Sequence, residues 1–114
     1  MKFGDIVLVS FPSTDYRSSK VRPALIISSE KYNTRESDII LLPISTNITR
    51  VCPDDILIKD SDKLFTKTGL KVSSVIRVGK IFTADKCIIK RRLGQLPDEI
   101  MNRVRDKIKE LFEL

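Results

Sequence analysis

The sequence predicts a single α+β domain, mainly antiparallel β-structure with a C-terminal helix, and three observations support this prediction. The 114 residues are close to the usual size of one domain, and 41% of them are hydrophobic, as in ordinary globular proteins. Short apolar runs separated by turn-forming residues occupy most of the chain. The last part repeats apolar residues at helical spacing instead. Together these features predict an SH3-like antiparallel β-barrel, with strands in about 3–83 and helices in about 85–113 of the domain 1–114.

The first two predicted strands flank a polar loop. Asp5–Phe11 reads D-I-V-L-V-S-F and ends at a proline, and Lys20–Ser29 reads K-V-R-P-A-L-I-I-S-S. The segment between them is rich in turn formers and too long for a tight hairpin. We interpret it as a lid or binding loop, and it carries three candidate contact residues: Asp15, Tyr16 and Arg17.

Three further segments have the character of short strands. Ser37–Pro43 contains four consecutive apolar residues, which indicate a strand buried on both faces. Asp55–Lys59 alternates polar and apolar residues. Leu70–Val78 and Lys80–Thr83 add one or two strands, with glycines at turn or bulge points. The sequence therefore predicts five to seven strands.

The C-terminal part is predicted to be helical. Lys86–Leu93 suggests a short helix that ends at Gly94, and its basic run, Lys90 to Arg92, would complement the negative end of the helix dipole. A second helix is expected to begin at Pro97, with acids in its first turn. Its apolar residues recur at spacings of four, four and three, which predicts one stripe that packs on the barrel: Ile100, Val104, Ile108 and Leu111.

The composition limits the chemistry available to the protein. There is no histidine, and Cys52 and Cys87 are far apart in the chain, so we expect two free, buried thiols and neither a metal nor a cofactor. Any catalysis must then use arginine, hydroxyl or carboxylate groups. The net charge of +6 favours a polyanionic partner, although a protein that is merely basic would have the same balance.

The chain also gives expectations about location. Its apolar runs are far shorter than the roughly 20 residues that a membrane helix needs. The N-terminus has an acid, Asp5, where a signal peptide would place its apolar stretch. We therefore expect no membrane association and a cytoplasmic location.

Two motifs supply candidate chemistry. In V-R-P-A-L, Arg22 precedes a proline, which favours an extended backbone at the start of an apolar strand. Its guanidinium is suited to a phosphate, although a surface salt bridge is the more common role of an arginine. In P-I-S-T-N, Ser45, Thr46 and Asn47 follow the third strand, and one hydroxyl could donate to a phosphate oxygen. Turn hydrogen bonds alone would also explain these residue types.

Five pieces in order resemble the MazF/PemK family of toxin endoribonucleases. They read G-D-I-V-L-V-x-F, V-R-P-A-L-I-I-S, P-I-S-T-N, G-L-K-x-x-S-V-I and K-R-R-L-G-Q-L-P-D-E-I, and they run from Gly4 to the last helix. The resemblance implies a dimeric SH3-like barrel that cleaves single-stranded mRNA at specific sequences without metal. It also implies a cognate antitoxin whose disordered tail covers the RNA groove.

The resemblance assigns roles to particular residues. The family's functional arginine corresponds to Arg22, and its functional threonine corresponds to Ser45, with Thr46 as neighbour. In one branch a strand reads R-x-D-Q, which corresponds here to R-V-G-K, so Arg77 is kept and the aspartate is Gly79. In that branch the arginine and aspartate are proposed as acid and base. We assign Arg22 and Arg77 instead to stabilising charge on the phosphate, because an arginine stays protonated at neutral pH and is a poor proton shuttle. Because that aspartate is a glycine here, the identity of the general base is left open, and Asp15 is the candidate to take its place.

The remaining candidates would contact RNA. Backbone phosphates would be followed by Arg17, Lys20, Arg50 and Lys80, each of which could equally be a solvated surface charge. Unstacked bases would rest on the few aromatic residues, with Tyr16, Phe11 and Phe65 as candidates. The rival interpretation is a catalytically weak or inactive barrel of the same fold that binds nucleic acid or a protein partner.

Overall fold

The computed structural model describes residues 1–12 and 19–114. Among these residues the chain forms seven strands and two α-helices. The strands are β1 (Asp5–Pro12), β2 (Ser19–Ile26), β3 (Asp38–Ser45), β4 (Asp55–Ile58), β5 (Ser74–Arg77), β6 (Phe82–Asp85) and β7 (Ile89–Gln95), and the helices are α1 (Glu30–Arg35) and α2 (Asp98–Phe112). The predicted loop residues Asp15, Tyr16 and Arg17 lie outside the described residues.

The strands form one antiparallel sheet. Their order is β4-β5-β3-β2-β1-β7, and β6 pairs with the first half of β3 while β5 pairs with its end. In the part of the chain that the structure describes, no pairing joins the outer strands β4 and β7, so the barrel is not closed. The prediction of a mainly antiparallel β-domain with a C-terminal helix is confirmed.

Two apolar clusters lie on opposite faces of the central strands, because side chains alternate along a strand. The first lies between the sheet and α2 and includes Ile6 and Leu25 of the sheet, with Met101 and Val104 of the helix. The second covers the other face, where its fully buried members are Val7, Val9, Ala24, Ile26, Ile39 and Leu41. The predicted burial of β3 on both faces is correct, since it contributes to both clusters.

The helix predicted over Lys86–Leu93 is wrong. Only Lys86–Ile88 forms a 3-10 turn, and the chain continues as β7, which pairs with β1 through two register shifts. Gly94 therefore lies inside a strand and does not end a helix. The basic run from Lys90 to Arg92 is exposed on this outer strand, so the dipole explanation for it does not hold.

Two other features differ from the sequence prediction. The helix α1 was not predicted; it begins after Ser29, whose Oγ accepts a hydrogen bond from the N–H of Tyr32 at 3.1 Å. Cys52 and Cys87 are exposed and not buried, because Cys52 lies in the loop between β3 and β4 and Cys87 in the 3-10 turn after β6, both outside the two apolar clusters.

The C-terminal helix α2 packs as the apolar spacing predicts over its first three turns. Val104 is fully buried, Ile100 and Ile108 are half-buried, and Met101 adds a fourth contact, while Leu111 is exposed near the end. Within the described residues, none of the helices has both the length and the apolar character needed to cross a membrane.

Candidate nucleic-acid interface

Arg22 and Ser45 share one face of the sheet. Arg22 pairs with Val9 in register, and directly paired residues point to the same side. The β2–β3 pairing ends at the pair Ala24–Pro43. Arg22 and Ser45 each lie two residues past this pair, towards the same end of the two antiparallel strands. Alternation then brings both side chains to the face of the second apolar cluster. Lys20 lies on this face as well, two residues before Arg22.

Thr46 faces the other way. It lines a separate cavity of about 500 Å³ together with Leu8, Pro23 and Arg91. Leu8 and Pro23 are paired in register, one residue out of phase with the Val9–Arg22 pair, so they point to the opposite face. The structure therefore separates the two adjacent hydroxyls and leaves Ser45 on the side of Arg22.

The Ser45 hydroxyl is held by a local hydrogen bond. Its Oγ accepts from the backbone N–H of Asn47 at 3.1 Å, and the side chain is half-buried. As an acceptor in this bond, the hydroxyl keeps its own proton for donation. Asn47 is in turn fixed to Thr49, whose Oγ1 donates to the Asn47 side-chain oxygen at 2.6 Å.

Four of the predicted residues come together in one pocket. The pocket has a volume of about 450 Å³ and lies beside the loop that joins β3 to β4. Its predicted members are Asn47, Arg50, Arg77 and Lys80. The other lining residues are Cys52, Asp54, Asp55 and Gly79. The cavity thus has three cationic and two anionic side chains, and the exposed cations Arg50 and Lys80 are available to a polyanion.

Arg77 is engaged with the protein itself. Its Nη1 donates to Asp55 Oδ2 at 2.5 Å and to the Arg50 carbonyl at 2.7 Å, and its Nη2 donates to the Asn47 carbonyl at 3.0 Å. The side chains of Arg77 and Asp55 are 19% and 7% exposed. The sequence analysis expects Arg77 to stabilise the phosphate directly, but its guanidinium already donates to three acceptors of the protein.

Asp55 is a residue of the site that the sequence analysis did not predict. Asp55 accepts from Arg77 and also from the backbone N–H of Cys52 at 2.8 Å. The one available signal is the pair of acids, Asp54 and Asp55, that directly precedes the apolar part of β4. Among residues 1–12 and 19–114, no group of three or more Cys, Asp and Glu side chains is placed to hold a metal ion.

Two of the three aromatic candidates for base stacking, Phe11 and Phe65, are used for packing. Phe65 is buried in the first apolar cluster. Phe11 packs against the second cluster with its ring 5.3 Å from that of Phe82. Phe65 therefore presents no ring to a base, and Phe11 is half-buried.

Asp85 and Cys87, which do not line the pocket, have shifted pKa values. They lie at the end of β6 and in the 3-10 turn that follows it. Asp85 Oδ1 accepts from the backbone N–H of Cys87 at 2.8 Å. This backbone hydrogen bond is the main cause that lowers the pKa of Asp85. A hydrogen bond to the Asp85 carboxylate, and its negative charge, raise the pKa of the Cys87 thiol.

The fold and the site define a small SH3-like β-domain with a basic pocket at the end of its central strands. The sequence profile of the PemK-like, MazF-like toxins of type II toxin–antitoxin systems matches residues 2–112. The chain belongs to this family.

Individual relatives agree with this assignment. The chain is 26% identical over 105 residues to endoribonuclease MazF2 of Mycobacterium bovis, covering 90% of this chain and 88% of that protein. Its fold is similar to that of the Mycobacterium tuberculosis toxin MazF-mt6, with a TM-score of 0.75, 22% identity and coverage of 96% and 97%. It is also similar to a chain of the MazE–MazF crystal structure from Deinococcus radiodurans, with a TM-score of 0.77, 20% identity and coverage of 100% and 96%.

Proposed function

We propose that this protein is a toxin that cleaves single-stranded RNA at specific sequences and without metal. The observation that carries the proposal is the common face of Arg22 and Ser45, beside a pocket with further cations, in a MazF-like chain. Relatives of this chain are named endoribonucleases. A catalytically weak domain that binds nucleic acid or a protein partner is the rival function.

In the proposed reaction a ribose 2′-OH attacks the adjacent phosphate, so that a 2′,3′-cyclic phosphate forms and the bond to the 5′-oxygen breaks, while the 2′-OH loses its proton and the leaving oxygen gains one. Negative charge then develops on the non-bridging oxygens, where preorganised donors lower the barrier. The exposed guanidinium of Arg22 neutralises this charge. The Ser45 hydroxyl donates a hydrogen bond to one of the same oxygens. DNA lacks the 2′-OH, so it is bound but not cut.

The RNA on either side of the scissile phosphate is held by the neighbouring cations. Lys20 continues the face of Arg22, and Arg50 and Lys80 line the pocket. These three side chains are exposed, as phosphate contacts must be.

Incubation of the purified protein with mixed-sequence RNA in EDTA tests the proposal. Discrete cuts with 2′,3′-cyclic phosphate ends are expected, and Arg22→Ala should lower kcat by about 10²–10³, the usual cost of removing one such donor. The matched control is Arg35→Ala, because Arg35 is an exposed arginine on α1 whose side chain pairs with Glu36. Intact RNA despite tight binding would favour the rival function.

We also propose that the protein acts as a homodimer through the sheet face of the second cluster. Half-buried apolar side chains surround that cluster, among them Phe11, Phe82 and Ile89. Arg22 lies on the same face, so a two-fold axis there would bring two copies of Arg22 near one RNA. Phe82→Glu should give a monomer in sedimentation experiments, whereas Phe112→Glu, on α2, should not. A monomeric wild type, or dissociation by the α2 variant alone, would refute this interface.

A cognate antitoxin completes the proposal. The solved relatives include an endoribonuclease in complex with its cognate antitoxin from a mycobacterial species. We expect a disordered, acidic antitoxin segment to compete with RNA for Arg22 and the basic pocket. A short acidic reading frame directly upstream of the gene would provide the candidate, and its peptide should inhibit cleavage in the EDTA assay.

A further inference from the structure

We infer that Arg77 is a positioning residue that, through Asn47, sets the orientation of the Ser45 hydroxyl. This inference rests on the proposed function, because it concerns the hydroxyl that contacts the scissile phosphate. It goes beyond that function by assigning Arg77 and Asp55 a joint role, an ion pair that holds the β3–β4 loop in place; we call this pair with its loop contacts the device.

The device begins with the ion pair between Arg77 and Asp55. These residues face each other in register at the ends of β5 and β4. Between them, their side chains hold three backbone groups of the β3–β4 loop: the carbonyls of Asn47 and Arg50 and the N–H of Cys52. The 46–54 loop contains no helix or strand, so these charge-assisted bonds substitute for a regular hydrogen-bond ladder.

The loop transmits this restraint to Ser45. Arg77 Nη2 holds the carbonyl of Asn47 at 3.0 Å, and the N–H of the same Asn47 donates to Ser45 Oγ at 3.1 Å. A serine carries one heavy atom beyond Cβ, so its χ1 angle is free to change, whereas a β-branched side chain is stiff at χ1. The Asn47 N–H therefore supplies a rotamer preference that the Ser45 side chain lacks.

The ion pair at the base of this arrangement is shielded from water. Asp55 is 7% exposed and Arg77 is 19% exposed, so water competes little for the bond between these two side chains, whereas the bonds to the loop carbonyls lie on the exposed side. The Arg77 fork is planar and makes its bonds in fixed directions. A lysine at this position would keep the charge but could not hold Asp55 and the Asn47 carbonyl with the same geometry.

The test is a double-mutant cycle on cleavage. Arg77→Lys should lower kcat by about ten- to a hundredfold, the range expected for a reacting group displaced by less than about 1 Å, with KM within about twofold of wild type. Asp55→Asn should give the same pattern. Ser45→Thr should be active, and in the Ser45→Thr background Arg77→Lys should cost less than about threefold, because the threonine holds its own rotamer. Arg35→Lys is the matched control and should leave kcat unchanged.

A readout without RNA separates this inference from the proposed function. Amide hydrogen exchange by NMR should show a protected Asn47 N–H in the wild type and exchange at least about tenfold faster in Arg77→Lys, with α2 protection unchanged. A protein that cuts no RNA would overturn the proposed function but would leave this measurement intact. Equal Asn47 exchange in both proteins, or a kcat loss that Ser45→Thr does not rescue, would overturn the positioning role.

Discussion

Gly94 is one of two glycines of the fold at which a side chain would collide with the backbone of a neighbouring segment. It lies in β7 against the 3-10 turn Phe65–Thr68. A Cβ at this position would lie 2.3 Å from the carbonyl oxygen of Lys67 and 2.5 Å from the carbonyl carbon of Thr68. Both are backbone atoms, so no side-chain rotation relieves the contact. The same interface explains Gly69, where a Cβ would lie 2.1 Å from the Leu93 oxygen.

The cost of Gly94→Ala follows from this geometry. The turn would have to retreat by at least about 0.7 Å to bring the 2.3 Å contact to 3.0 Å. Phe65 moves with the turn, and it is 9% exposed in the first apolar cluster. Overpacking that shifts backbone costs typically 1–3 kcal/mol, and we expect about 3 kcal/mol here because core packing is disturbed as well. For a domain of this size that lowers Tm by roughly 12 °C.

Thermal and urea unfolding of Gly94→Ala and Gly79→Ala would measure this effect. Gly79 is the matched control, because among the described residues no atom lies within 4 Å of its ideal Cβ and its φ is not in the left-handed region. Its alanine variant should unfold within about 0.5 kcal/mol of the wild type. A Gly94→Ala protein with a Tm within about 2 °C of wild type would refute the argument that the turn and β7 are in rigid backbone contact.

Three other predictions concern binding, substrate and thiol chemistry. Arg50→Gln and Lys80→Gln should each lower the slope of log Kd against log salt concentration by about 0.7, measured by fluorescence anisotropy on single-stranded RNA; unchanged slopes in both would exclude them as phosphate contacts. One 2′-deoxy substitution at the cleaved nucleotide should abolish cutting and leave Kd within about twofold, whereas persistent cutting would contradict 2′-OH attack. In a Cys52→Ser background, Asp85→Asn should move the pH midpoint of Cys87 alkylation downwards, because the carboxylate raises the thiol pKa and so reduces the thiolate at a given pH. An unmoved midpoint would refute this cause.

Local sequence patterns were sufficient where burial is regular. The apolar run in β3 predicts a strand buried on both faces, and each face indeed meets its own cluster. Local patterns failed for β7. Its apolar pattern is interrupted by Lys90 to Arg92, and Gly94 is of the residue type that commonly ends a helix, so the sequence predicts a helix there. Both features follow from distant partners: the strand lies at the outer side of β1, and the glycine is required by the turn around Thr68. No window of the local sequence contains that information.

The same limit applies to the site. The V-R-P-A-L motif directs attention to Arg22, and P-I-S-T-N to the hydroxyls, because each residue lies next to a strand end that the local sequence reveals. Asp55 could not be found in this way. It belongs to the site because the β4–β5 register places it opposite Arg77, and this pairing joins positions that no local motif connects.

The two adjacent hydroxyls show how the fold selects among residues that the sequence leaves equivalent. Ser45 is paired with Val75 at the end of β3, and the next residue, Thr46, turns towards the cavity that Leu8 and Pro23 line. Since Arg22 is one residue out of phase with Pro23, it shares a face with Ser45 and not with Thr46. For Thr46 to act beside Arg22, the end of β3 would have to shift its register by one residue. That shift would also break the hydrogen bond from the Asn47 N–H to Ser45 Oγ.

Ser45 is therefore the hydroxyl whose removal, in Ser45→Ala, should reduce kcat, while Thr46→Val should leave kcat within about twofold in the same EDTA assay. The reverse result would mean that the RNA lies on the Leu8 face and that Arg22 is a surface cation.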